Sequence, residues 1–185
     1  MNAIHSKAQH KNKLTTEIIK NSLRFILLIL LQVLVIQNIN LTSYVILLPY
    51  IMVIIMMPFE SNKLLVLFAS FFLGACIDFF YDSSGLHAAA CTLMGFSRHY
   101  VLQYISPREG YDVGVEPTVS DMGLAWFLRY AGTLVLIHHF SLFYLEIFRF
   151  SEFFQTLLRV ILSSIGTFSL IYLIQFLFFN NVRRT

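Results

Sequence analysis

Apolar stretches long enough to span a bilayer recur from residue 23 to residue 179, broken only by polar connections, and this constrains the fold more than any motif. A chain that is 57% hydrophobic and 12% charged, with 19 phenylalanines among 185 residues, lacks the charge to coat a water-facing globule. The implied solvent is lipid. In lipid a helix satisfies its own backbone, so the expected fold class is all-α: a polytopic membrane protein with six transmembrane helices. The spans read as Leu23–Gln37, Leu41–Met57, Leu64–Phe80, Gly85–Ile105, Gly123–Leu145 and Leu157–Phe179. A span of about 17 residues covers about 25 Å, enough to cross with snorkelling flanks. Gln32 and Arg24 interrupt the first span, and a helix start near Glu17 would restore its length. Short connections make spans one and two, and spans three and four, into helical hairpins.

Around this core lie a basic arm at 1–22 and a basic tail at 181–185, with the membrane domain at 23–180 and a polar loop at 106–122. The arm is polar, and no A-x-A-like site closes the first apolar run, so a cleavable leader is not expected. Lys7, Lys11, Lys13, Lys20 and Arg24 precede or open the first span, Lys63 follows the second, Arg108 the fourth, and Arg183 and Arg184 end the chain. Only Arg149 and Arg159 mark the other side. By the positive-inside bias, both termini are cytoplasmic and the Tyr81–Ser84 corner is extracytoplasmic. The arm itself reads as an orientation signal that touches anionic lipid, and nothing supports a nucleic-acid role.

That orientation gathers Asp78, His87, His138, His139, Glu146 and Arg159 toward the outer end, as a candidate pocket or partner contact. A carboxylate at the depth of Asp78 must turn inward and find a partner. It either caps amides near Ser83–Gly85, or pairs with His87 or Arg159, or serves a ligand or partner. Ser70, Gly74 and Asp78 repeat every four residues on span three; Ala88, Cys91 or Thr92, and Gly95 form a matching stripe on span four. Small faces of this kind let helices approach closely, so Ser70, Gly74, Asp78, Gly85, Leu86, His87 and Gly95 make up a candidate packing motif. Arg98, Pro107, Arg108 and Glu109 stand toward the cytoplasm as docking candidates, in or beside the longest polar loop.

No nucleophile elbow, zinc-protease motif, phosphate loop or C-x-x-C pair occurs, so no enzyme, cofactor or metal is expected. Cys76 and Cys91 lie inside apolar runs and read as small packing residues. His138 and His139 point about 100° apart on a helix, so at most one of them joins Asp78 and His87. Arg129 reads as a snorkelling side chain.

The stretch "LGACIDFF" followed by "GLHAAA", the continuation "GFSRHYVLQYISPREGYD" and the later "LIHHFSLFYLEIF" resemble the MreD family of rod shape-determining proteins, in its Bacteroidetes form. The resemblance implies a non-enzymatic inner-membrane scaffold of the cell-elongation machinery that pairs with MreC. Through MreC it would link MreB filaments to the peptidoglycan glycosyltransferase and its penicillin-binding transpeptidase. It also implies the six-helix fold of the S components of energy-coupling-factor transporters, which makes a vitamin-binding subunit the rival expectation. S components carry Ala-x-x-x-Ala on the first span. Here that span reads "LRFILLILLQVLVIQ", with no alanine, which argues for the scaffold.

Overall fold

The computed structural model describes residues 22–39, 44–112, 115–147 and 152–179. The basic arm, the tail at 181–185 and the proposed helix start near Glu17 lie outside them. Among the described residues the chain is all-helical, with no strand. Helix α1 is Ser22–Asn38, with a π-turn at Leu31–Val35 and a 3-10 end. Then come α2 (Met52–Ile55), α3 (Lys63–Tyr81), α4 (Leu86–Tyr104), the short α5 (Val119–Met122), α6 (Leu124–Ile147) and α7 (Phe153–Phe179). The long helices pack in sequence order, α3 on α4, α4 on α6 and α6 on α7.

The second expected span is not a continuous helix, and with it the expected hairpin of spans one and two is lost. Residues 46–48 carry no helix, a 3-10 turn occupies Pro49–Ile51, and α2 adds a single turn. Pro49 explains the break. It lacks the N–H a continuous helix would need there, its ring disfavours helical backbone at Leu48 (φ −129°, ψ 61°), and it fits the first position of a new helix instead. Irregular backbone in an apolar setting must be satisfied by protein. Ile46 N–H donates to Ser163 Oγ (3.0 Å) and Leu48 N–H to Thr167 Oγ1 (3.1 Å), while Gln32 Nε2 donates to Leu47 O (3.2 Å). The segment from Leu48 to Met56 is buried throughout, enclosed by α3, α4 and α7. Its unbroken hydrophobicity therefore reflects burial on every side.

The α3–α4 hairpin is closed by sterics. A Cβ on Gly74 would strike the backbone of His87 and Ala88, and one on Gly95 would strike Ser70 Oγ. Asp82 (φ 52°) ends α3 in the left-handed region and Gly85 (φ 87°) precedes α4. Only glycine enters that region without strain, which accounts for Gly85.

The outer face is apolar, and polar side chains are gathered inside among a hydrophobic core. Ser70 and Asp78 of α3, His87 and Arg98 of α4, His138 and His139 of α6, and Ser163, Thr167 and Gln175 of α7 are buried. Facing outward are Phe68, Phe72 and Phe79, then Leu93 and Phe96, then Leu128, Leu136 and Phe140, then Ile165, Leu173 and Phe176. Among the described residues, two helices, α3 and Phe153–Phe178 of α7, are long and apolar enough to cross a membrane. Helices α4 and α6 have the length, but His87, Arg98 and His99 in one, and Arg129, His138 and His139 in the other, lower their mean hydropathy.

Candidate functional site

The polar interior divides into separate groups, each joining particular elements. At the α3–α4 corner, the Asp78 carboxylate accepts the amide N–H of His87 on Oδ1 (3.0 Å) and of Ala88 on Oδ2 (2.8 Å). Ser83 Oγ donates to Oδ1 at 2.5 Å. Helix α4 starts at a glycine with no side-chain cap of its own, so a carboxylate from the preceding helix takes over its open amides, where the helix dipole favours negative charge. Asp78 caps, but at the amides of His87 and Ala88 rather than those of Ser83–Gly85 expected from the sequence, and from that turn its carboxylate meets the Ser83 hydroxyl alone. Arg159 is engaged elsewhere.

The second group centres on Tyr50, in the broken segment. Its hydroxyl meets His87 Nδ1 at 2.8 Å and His138 Nε2 at 3.0 Å, with Cys91 Sγ at 3.8 Å. A phenol has one proton, so it donates to one imidazole and accepts from the other. His138 Nδ1 is buried without a partner, and a bare lone pair there costs less than an orphaned N–H. The network therefore assigns the order His138 Nε2–H to Tyr50 oxygen, and Tyr50 O–H to His87 Nδ1. Three elements meet at one oxygen, the broken segment, α4 through His87 and Cys91, and α6 through His138, and α3 is linked to the same residue His87 through Asp78 and the His87 amide.

His139 belongs to neither group. It points to α7, where Thr167 Oγ1 lies 3.1 Å from Nε2, while Nδ1 donates to Val135 O at 2.9 Å. The outermost pair, Arg159 and Glu146, forms an ion pair at 3.2 Å with the guanidinium over the Phe143 ring. The six residues grouped by depth in the sequence thus fall into separate clusters.

Arg98 requires correction. It is not a cytoplasmic docking residue but a buried one. Its Nε donates to Tyr130 Oη (2.8 Å) and its Nη2 to the carbonyls of Met57 and Pro58, while Tyr130 Oη donates to Ile55 O (2.9 Å). The physical reason is its position on the helix. Cys91, Met94, Arg98 and Leu102 form one stripe at three- and four-residue spacing, and the stripe faces inward. There the guanidinium satisfies the carbonyls at the end of α2. Pro107, Arg108 and Glu109 are exposed on a turn closed by Gly110 N–H to Pro107 O (3.0 Å).

The rest of the 106–122 loop is less solvated than its composition implies. Tyr111 stacks on Phe59 (centroids 4.1 Å apart), donates to Leu102 O (3.0 Å), and meets Trp126 edge-on. Burial there pushes its phenol above the usual tyrosine range. Glu116 pairs with Arg24 of α1 at 3.8 Å, and Thr118 caps α5 by accepting from Asp121 N–H (3.0 Å).

Tyr50, Gln32, Tyr130, Ser163 and Thr167 were not singled out as site residues in the sequence. The available signals were Pro49 beside Tyr50, and hydroxyls at four-residue spacing inside α7. Cys76 and Cys91 are free thiols. Among the described residues no group of His, Cys, Asp or Glu is placed to hold a metal ion. No family model, curated protein or solved structure matches this chain.

Proposed function

We propose that the chain is a multi-pass inner-membrane scaffold subunit of the MreD kind, crossing the bilayer six times with both termini cytoplasmic. Its passes would be α1, the broken segment through α2, α3, α4, α6 and α7, in the manner of an S-component bundle. The observation that carries the membrane part is the inverted distribution of side chains: histidines, hydroxyls and an arginine inside, phenylalanine and leucine outside. In water the exposed phenylalanines and leucines would be unfavourable despite the buried apolar core; in lipid they cost nothing, and the buried polar groups glue helices together.

The scaffold part rests on the sequence resemblance and on how the polar residues are used. Asp78, His87, Tyr50, His138 and Arg98 spend their hydrogen bonds on one another and on helix ends, joining elements. Outside, α4, α6 and α7 leave an apolar groove of about 440 Å³ walled by Leu93, Leu136, Phe140 and Val160, a surface suited to a partner's single transmembrane helix. The partner in this reading is MreC, with MreB, the elongation glycosyltransferase and its transpeptidase in the same assembly. Gentle solubilisation, affinity capture and mass spectrometry test it. Recovery of a single-span partner with a large extracytoplasmic domain supports the scaffold; recovery of the chain alone with a tightly bound vitamin overturns it in favour of a transport subunit.

A further inference from the structure

At the end of the bundle that carries the 106–122 loop, α4 and α6 leave an open groove of about 390 Å³ lined by Tyr100, Val101, Tyr104, Ile105, Arg129 and Thr133. Its polar groups are unusually uncommitted. Arg129 is exposed and uses Nε on the carbonyl of Ala125 (3.2 Å), which turns the side chain back toward the start of α6. The remaining guanidinium N–H groups have no carboxylate or other acceptor among the described residues. Tyr104 is 92% exposed and Tyr100 56%, and neither hydroxyl has a protein partner among those residues. Thr133 closes the inner end by donating to Arg129 O at 2.6 Å, and Val101 and Ile105 supply an apolar wall.

The opposite end of the bundle provides the contrast. There Arg159 is neutralised by Glu146 at 3.2 Å and covered by Phe143. At the loop end Lys63, across α4 from Arg129, also has no carboxylate partner among the described residues, and it lines a second groove that shares Tyr100. An unpaired cation about 8 Å along α6 lies at headgroup level, beside tyrosines of the kind that populate membrane interfaces. An apolar wall beside a cation and two hydroxyls fits a lipid, whose phosphate and acyl chain need both surfaces, better than it fits a free anion.

We infer that the Arg129–Tyr104 groove is a binding site for one anionic phospholipid. The phosphate would sit on the Arg129 guanidinium within reach of the Tyr104 hydroxyl, with an acyl chain leaving past Val101. This rests on the membrane reading above. Arginine suits the role because its planar fork meets phosphate oxygens in pairs.

The test uses the full chain purified in mild detergent and in nanodiscs of phosphatidylcholine with or without phosphatidylglycerol. Native mass spectrometry counts retained lipid, and thermal unfolding reads stabilisation. Wild type should retain phosphatidylglycerol over phosphatidylcholine, and Arg129→Gln should weaken that retention about five-fold, the weight of one basic group at the surface. Arg129→Lys should keep part of it, Tyr104→Phe should lose less than Arg129→Gln, and Arg159→Gln at the far end should lose none. Equal retention by Arg129→Gln and wild type, both in the membrane fraction, overturns this site and leaves the membrane reading intact. Displacement of the lipid by inorganic phosphate alone would overturn it too. Wild-type protein in the soluble fraction after lysis would overturn both.

Discussion

The α3–α4 hairpin and the broken segment before α2 are both apolar, both buried along one side or more, and held in opposite ways. The hairpin closes by shape. Gly74 lets α3 touch the backbone of α4, and one carboxylate from Asp78 stitches the corner. The broken segment closes by chemistry. Its unwound backbone is bonded by Ser163, Thr167 and Gln32, and Tyr50 hangs from it to connect two histidines. Where helices meet through small residues, packing does most of the joining; where a helix is interrupted, side chains of its neighbours must replace the missing ladder.

The difference can be forced into the open by substitution. Gly74→Leu should have the largest effect, because its side chain would meet immovable backbone: a loss at or above the top of the roughly 1–3 kcal/mol range for overpacking, seen as failure to accumulate. Gly85→Leu, where nothing lies within 4 Å, should cost only the left-handed backbone strain, about 1–2 kcal/mol. If the two variants behaved alike, close approach would not be what distinguishes the hairpin.

Tyr50→Phe comes next. It keeps the ring and strands two buried imidazole nitrogens, for about 2–3 kcal/mol in a detergent-titration unfolding measurement. Asp78→Asn should cost about 1.5 kcal/mol, since an amide oxygen still accepts Ser83 and His87 but its NH2 faces the Ala88 N–H. Ser163→Ala should be mildest, about 1 kcal/mol, with increased hydrogen exchange confined to residues 44–48. Exchange spread evenly over the bundle would show that the segment is not locally held.

The same two regions mark how far the sequence could be read. Long helices α3, α4, α6 and α7 fall within a few residues of the runs that announced them, because turns at Ser83–Gly85 and Gly123 punctuate them. The divergence of His138 and His139 was also legible, since helical spacing alone separates them. The broken segment was not. A uniformly apolar run carries no periodicity to distinguish a helix from a buried irregular strand of chain, and only Pro49 spoke against the helix. Depth alone points Arg98 to the cytoplasm, whereas its helical face turns it inward. Depth likewise grouped Glu146 and Arg159 with Asp78, although contacts across a bundle depend on which face each helix turns inward.

The inverted surface is the claim on which all of this stands, and a spin label at Leu136 tests it most directly. That side chain is exposed midway along α6, backed two residues on by the buried His138. In protein reconstituted into liposomes, a single label there should collide freely with dissolved oxygen and hardly at all with a water-soluble nickel chelate. Ready access for the nickel reagent and poor access for oxygen would place that face in water and contradict the account.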